Sequence, residues 1–219
     1  MPEPGRGEEL LALGEAVRGR LERTHRARED GLAASRRTIR ACGRSIRAIH
    51  RLEPEEYARL VEEARESLRE AQEALRPHPT VAGAGFLHDA EKEYAEARLT
   101  SALVEGSSLP DAAELAVGTP AWLNGLAEAA SELRRHLLDR LRQGELDRAE
   151  DLLGAMEDAY DMLVTIDYPD AITGGLRRTV DALRAVLERT RGDVTTATLQ
   201  GRLRQAIDRA SGTTPSGSD

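Results

Sequence analysis

The sequence predicts a single-domain, all-α protein, and three observations support this fold class. Aromatic residues make up only 3% of the chain, with one Trp and one Phe. The core must therefore consist of Leu, Ala, Val and Ile, a composition that suits helices better than a β-sandwich or barrel. Apolar residues recur at spacings of three and four along most of the chain, as they do on one face of a helix. At 219 residues, the chain is long enough to bury a real core as one domain.

The first predicted element is a long helix over about 8–51. Gly31 and Gly43 lie inside it, and each weakens it by up to about 1 kcal/mol without forcing a break. Two apolar stripes follow each other along this helix: Leu10, Leu13, Val17 and Leu21, then Ile39, Cys42, Ile46 and Ile49.

A row of arginines occupies another side of this helix, at steps of four, four, three and four: Arg36, Arg40, Arg44, Arg47 and Arg51. No acidic residue interrupts 31–51. The row is either a solvated face, a face paired with acids of the next helix, or a surface that follows a phosphate backbone. In the last case each planar guanidinium contacts phosphate oxygens. His50 joins the row or caps the helix end, and we expect a structural role for it.

The later elements follow from proline and glycine positions as much as from periodicity. Pro54 and Pro120 suit the first turns of helices, and Gly144 ends one. The clearest loop lies around 77–85, and a turn lies at 168–169. The predicted helices after the first are 54–76, 86–105, a short one at 111–116, then 119–143, 145–166, one from 171 onward, and 194–210. Residues 1–7 and 211–219 are predicted to be disordered, which leaves 8–210 as the folded domain.

Charge and cysteine content narrow the class of protein. The net charge is −8, the wrong overall sign for a nucleic-acid binder, so such binding would need a segregated basic surface. Cys42 is the one cysteine, which excludes an intrachain disulfide and zinc-finger spacing. No segment approaches the ~20 apolar residues of a membrane span, and the start lacks the apolar core of a signal peptide. We therefore expect a soluble, cytoplasmic protein.

Two acidic pairs at helical spacing are the candidate functional residues. Glu93 and Glu96 lie in the helix predicted over 86–105, and Glu93 falls inside its apolar stripe while Glu96 lies on the flank. A carboxylate on an apolar face needs a partner or a metal. Glu128 and Glu132 form the second pair, in the helix predicted over 119–143. His136, one turn further on, is expected at the surface.

If these two helices pack side by side, four carboxylates converge. Such a cluster resists ionising together unless a cation lies in it. Oxygen ligands suit Mg²⁺ or Mn²⁺. Because the chain has 39 acidic residues, pairs at this spacing also arise by chance on solvated helix surfaces, as Glu62 and Glu66 illustrate.

Several segments, in their order along the chain, also resemble a known family. The segments EYAEA at 93–97 and LNGLAEAASELRR at 123–135 are similar to the translin superfamily, most of all to the branch of translin-associated factor X (Trax), in a prokaryotic or archaeal-type homologue. The likeness runs over roughly 8–195, and its specificity lies in order and spacing rather than in one motif. Further matching segments follow in the same order: 35–39, 49–51, 158–161 and 186–188.

This resemblance implies a seven-helix, all-α subunit that assembles into a closed ring or shell and binds single-stranded RNA or DNA. It also implies a metal-dependent endoribonuclease, the activity of the Trax branch, whose acidic residues match Glu93, Glu96 and Glu132. At the fourth position the Trax pattern has Asp, and this chain has Glu128, which keeps the charge but lengthens the side chain. Translin itself has an apolar residue there, so Glu128 favours the catalytic branch.

The resulting hypothesis is a homo-oligomeric, Mg²⁺-dependent endoribonuclease for single-stranded RNA. Its site residues are Glu93, Glu96, Glu128 and Glu132, with the arginine row as RNA-binding surface. Four alternatives remain open from sequence: a binding-only translin homologue, an all-α nucleotide pyrophosphohydrolase, a ferritin-like di-metal protein and a structural helical scaffold. The ferritin-like class is disfavoured because its bundles use Glu-x-x-His motifs, which are absent from these pairs.

Overall fold

The computed structural model describes residues 5–211, without the side chains of 210 and 211. Every helix or strand in that range is an α-helix, which confirms the all-α prediction. The predicted disordered segments at the two ends lie largely outside the described residues, although α1 already begins at Arg6. The helices are α1 Arg6–Arg51, α2 Pro54–Leu75, α3 Pro79–Ala82, α4 Phe86–Glu105, α5 Thr119–Gln143, α6 Leu146–Val164, α7 Asp170–Thr173 and α8 Leu176–Ser211.

Residues 5–211 form eight helices, where the family resemblance implies seven. Two of the eight, α3 and α7, have only four residues each. The short helix predicted over 111–116 is wrong: that segment forms turns, held by reciprocal bonds between the backbone and side chains of Asp111 and Glu114. The break predicted before 194 is also wrong. Val194 continues the buried face of α8, so packing carries the helix through Gly192.

The first compact unit of the chain, 1–97, is built on a hairpin of α1 and α2. Leu52 adopts a left-handed conformation with φ 60°, and it turns the chain so that α2 runs back along the second half of α1. Gly31 marks where α2 ends, because a methyl group there would lie 2.7 Å from Cγ of the buried Leu75. The first half of α1 extends beyond this hairpin and is exposed.

The second compact unit, 98–219, packs α5, α6 and α8 around an apolar core. Asn124 on α5 ties this unit together, since its side-chain amide donates to the Thr173 carbonyl at 2.8 Å and its side-chain oxygen accepts from Thr179 at 2.7 Å. The unit boundary falls within α4, a continuous helix. The buried core residues are Leu133, Leu137, Ala149, Leu152, Met156, Leu187 and Val194.

Within the part of the chain that the structure describes, no helix combines the length and the apolar character required to cross a membrane.

Candidate metal centre and basic surface

Glu93 and Glu96 lie on α4, one turn apart. Glu96 is only 8% exposed, whereas the Glu93 side chain is 27% exposed and has the Lys92 ammonium 3.5 Å from its Oε1. The apolar positions around them, Ala90 and Ala97, are fully buried, as the sequence predicted for this stripe. The burial of the two acids is the reverse of the expectation, since Glu96 is the more deeply buried one.

The Cys42 thiol interacts electrostatically with both the Glu93 and the Glu96 carboxylate. Burial raises the pKa of the Cys42 thiol, and the negative charges of Glu93 and Glu96 raise this pKa further. Cys42 is fully buried on α1, so α1 contributes a neutral thiol to the surroundings of the two acids. The sequence pattern places Cys42 in an apolar stripe but does not reveal that it lies near Glu93 and Glu96, because no local pattern relates residue 42 to residues 93 and 96.

Three of the four predicted glutamates are brought together. Glu93, Glu96 and Glu128 each offer a carboxylate oxygen, and these oxygens lie within 4.8 Å of one another. Glu132 lies one turn beyond Glu128 on α5, half-buried, and is not a member of this group. Three carboxylates of this kind could bind a metal ion.

The burial pattern of α5 explains how Glu128 and Glu132 are held. The helix is buried over most of its first half, including Gly125, and both glutamates are half-buried within this apolar surface. His136, which was expected at the surface, is only 4% exposed. That expectation is wrong because the burial of this turn of α5 depends on tertiary packing, which a single helix pattern does not reveal.

The arginine row forms a continuous exposed surface on α1. All five members, Arg36, Arg40, Arg44, Arg47 and Arg51, are exposed. Arg44 has acidic neighbours on α2, with Glu56 at 3.7 Å and Glu63 at 3.9 Å. Within residues 5–211, the other four guanidinium groups have no carboxylate partner. The row is therefore not a face neutralised by α2.

The glutamate group concentrates negative charge that a cation could offset. Carboxylate charges at such short separations repel one another, and partial burial weakens the screening by water. Oxygen-only donors at this spacing match the ligand preference of Mg²⁺ and Mn²⁺. The residues present therefore fit a small divalent cation.

The fold and the glutamate group together define an all-α protein whose carboxylates could hold a divalent cation. No protein-family model matches the chain. An uncharacterized protein of Methanocaldococcus jannaschii is 29% identical to it over 187 residues, which are 83% of this chain and 81% of that relative.

Solved structures give the more specific relationship. AfC3PO has a TM-score of 0.78 and 33% identity to this chain, over 85% of this chain and 97% of AfC3PO. The complex of AfC3PO with duplex RNA has a TM-score of 0.76 and 34% identity, over 85% of this chain and 96% of that one. The chain belongs to the translin superfamily, among the C3PO-type proteins.

Proposed function

We propose that this protein is a metal-dependent endoribonuclease of translin and Trax type, which uses Mg²⁺ or Mn²⁺ to hydrolyse phosphodiester bonds in RNA. The protein would act in the cytoplasm as a homo-oligomeric ring or shell. The observation that carries the proposal is the approach of the Glu93, Glu96 and Glu128 oxygens to within 4.8 Å of one another. The proposed catalytic and metal-binding residues are Glu93, Glu96, Glu128 and Glu132.

The short spacing of the three carboxylates supports a bound cation, because a cation would relieve the repulsion between their negative charges. Two unit charges about 4 Å apart repel by roughly 4 kcal/mol at an effective dielectric constant of 20. A divalent cation relieves it at neutral pH and is held more tightly where burial excludes water, as at Glu96.

The proposed roles divide between holding the ion and moving a proton. Glu96, the most buried of the four, would be an anchoring ligand, with Glu93 and Glu128 completing the group. Glu132 lies four residues after Glu128, so both point to similar sides of α5, and it would supply a further ligand or a proton acceptor for water. A bound Mg²⁺ or Mn²⁺ would supply Lewis-acid stabilisation of the charge that develops on the phosphate.

The longer side chain of Glu128 bears on whether activity is kept. The Trax pattern has Asp at this position, one methylene shorter. The Glu128 oxygen nevertheless reaches the group formed with Glu93 and Glu96. We therefore expect Glu128 to act as a metal ligand.

The exposed arginine row would bind the RNA backbone. Within residues 5–211, the guanidinium groups of Arg36, Arg40, Arg47 and Arg51 have no carboxylate partner, so their positive charge is left uncompensated. Such contacts give salt-dependent and largely sequence-independent affinity. The family resemblance favours single-stranded RNA or single-stranded DNA, whereas the AfC3PO complex holds duplex RNA. Both forms of RNA therefore belong in the test.

The decisive experiment incubates the protein with labelled single-stranded RNA, duplex RNA or a nucleoside triphosphate, in Mg²⁺ or in chelator. The test variant is Glu93→Gln/Glu96→Gln, and the matched control is Glu62→Gln/Glu66→Gln, a pair of similar spacing on the exposed side of α2. We expect RNA cleavage that needs Mg²⁺, is lost in the test variant and persists in the control.

Other outcomes distinguish the alternatives. RNA binding without cleavage under any metal condition would identify a binding-only homologue. Consumption of the triphosphate with intact RNA would identify a nucleotide pyrophosphohydrolase. Equal cleavage by the wild type and the test variant would refute the glutamate site.

A further inference from the structure

The first five turns of α1 carry an apolar stripe that nothing in the described chain covers. Leu10, Leu13, Val17 and Leu21 are 62%, 56%, 51% and 63% exposed. At about 100° per residue, they lie within an arc of about 80° on the helix. Isolated exposed leucines are ordinary, but a contiguous helical stripe of this kind indicates a contact surface.

This stripe is the uncovered continuation of a core face. The same arc further along α1 is occupied by Ile39, Cys42, Ile46 and Ile49. Ile39 is half-buried there, and the other three are buried. The cover is α2, which ends at Leu75 opposite Gly31. Beyond that point Thr24 contacts His78, with 3.3 Å between Oγ1 and Nδ1, and no further cover follows towards Arg6.

The charges along this segment are arranged with opposite signs in its two halves. Residues 6–17 contain three Glu and one Arg, and residues 18–28 contain five Arg and one Glu. Glu9 and Arg20 lie on the same edge of the stripe, and within residues 5–211 neither side chain has a hydrogen-bond or ion-pair partner. An antiparallel copy of the same helix would bring the acidic half of each against the basic half of the other.

We propose that the stripe is covered by the same segment of a second copy of this chain, packed antiparallel about a two-fold axis near residue 15. This inference deepens the homo-oligomer of the proposed function by naming one contact surface, and it does not depend on nuclease activity. The contact is isologous, so each Glu9 faces the partner's Arg20 and the pair forms twice.

The register follows from the stripe itself. About an axis near residue 15, Leu13 and Val17 lie two residues on either side, and Leu10 and Leu21 lie five residues before and six residues after it. Gly14 lies at the centre on the flank of the stripe, and a methyl group there would meet only the tip of Arg18, at 3.9 Å. The missing side chain permits close approach of a second helix.

The size of the surface suits one contact of a larger assembly. The segment of about 18 residues is roughly 27 Å long. If its leucines and valine bury about 100 Å² each, two copies bury on the order of 800–1,000 Å², below the 1,200–2,000 Å² of a stable isolated dimer. The α1 contact would therefore work together with other contacts between subunits.

Charge reversal in the full-length protein tests the proposal. Glu9→Arg and Arg20→Glu should each weaken self-association roughly tenfold at low salt, because each places like charges together twice. The double variant should restore it, because the pair is re-formed with reversed signs. Arg23→Glu is the matched control, since it makes the same change one turn away from Arg20 on a side turned further from the stripe. Sedimentation velocity over a concentration series measures the association, and circular dichroism checks helix content.

Disulfide trapping tests the antiparallel direction. Leu10→Cys and Leu21→Cys proteins, mixed and oxidised, should cross-link with each other far more than either does alone. The native Cys42 is fully buried and can be retained. Cross-linking of Leu10→Cys to itself would overturn the antiparallel arrangement, and a double charge-reversal variant no better than either single one would overturn the Glu9–Arg20 contact.

The same samples separate this inference from the proposed function. The charge-reversal series tests the α1 contact whether or not the protein cleaves RNA. Loss of association in the single variants, rescued in the double variant, supports the contact even if no RNA is cleaved.

Discussion

Replacing Glu96 by Gln should remove about half or more of the stabilisation that Mg²⁺ or Mn²⁺ gives to this protein. The Glu93, Glu96 and Glu128 oxygens lie within 4.8 Å of one another, and Glu96 is only 8% exposed. Gln keeps the shape of Glu but removes one of the three charges that the cation would neutralise. Because Glu96 is the most buried of the three, its charge is the least screened by water.

The magnitude follows from linkage between binding and folding. A ligand present at about 100 times its dissociation constant stabilises the folded state by roughly 2.7 kcal/mol. For a chain of this length, that corresponds to a rise of roughly 5–10 °C in Tm. A tenfold to hundredfold loss of affinity in Glu96→Gln would leave roughly 1.4 to 0.4 kcal/mol of this stabilisation, a rise of about 1–5 °C.

Thermal unfolding followed by circular dichroism measures the Tm of wild type and of Glu96→Gln, each with Mg²⁺ and with ionic-strength-matched NaCl. Glu66→Gln, an exposed glutamate on α2, is the control and should show the wild-type rise. An equal Mg²⁺-dependent rise in Glu96→Gln and wild type would refute the reasoning, and so would a rise that Glu66→Gln also loses.

Three further predictions concern other parts of the molecule. Gly31→Ala should destabilise the protein by about 1–2 kcal/mol, because the new methyl group overlaps a buried leucine of α2. Gly43→Ala should be neutral or stabilise by up to about 1 kcal/mol, because only the mobile end of a neighbouring arginine lies near it; urea unfolding compares the two variants, and equal effects would contradict the packing argument. Arg40→Gln/Arg47→Gln should lower the slope of log K against log salt for RNA binding by about 0.7–0.9 for each lost contact, and an unchanged slope would place the RNA elsewhere. Burial raises the pKa of the Cys42 thiol in the folded protein. The stability that the buried thiol contributes is therefore fully present below the ordinary thiol pKa of about 8.5 and is lost as pH rises above it. The unfolding free energy of Cys42→Ala should fall less steeply above pH ~8.5 than that of wild type, and parallel curves would contradict this.

The sequence predicted the long helices well because their signals are local. Pro54 and Pro120 lie in first turns, and Gly144 ends α5 with φ 80°. The arginine row could also be predicted, since five residues at steps of three and four must share a face of any helix. Sequence could not predict that, within residues 5–211, four of these arginines have no carboxylate partner, because this depends on which acids of α2 reach α1.

The predictions that failed depend on how elements pack. His136 was expected at the surface, yet it is only 4% exposed. Val194 continues α8 because its side chain is buried in line with Leu187, which outweighs the local cost of Gly192. Burial by neighbours therefore decided positions that local propensity left ambiguous.

The acidic net charge of the chain bears on how RNA would be bound. A chain at −8 repels a polyanion at long range, so the approach must be guided by a surface where positive charge is left uncompensated. Among the residues that the structure describes, Arg44 alone of the row has acidic neighbours, at 3.7 and 3.9 Å, and exposed pairs at such distances are weak. The remaining arginines are held on a rigid helix whose opposite face is buried against α2. Segregation on one helix face, rather than net charge, thus provides the electrostatic condition that RNA binding requires.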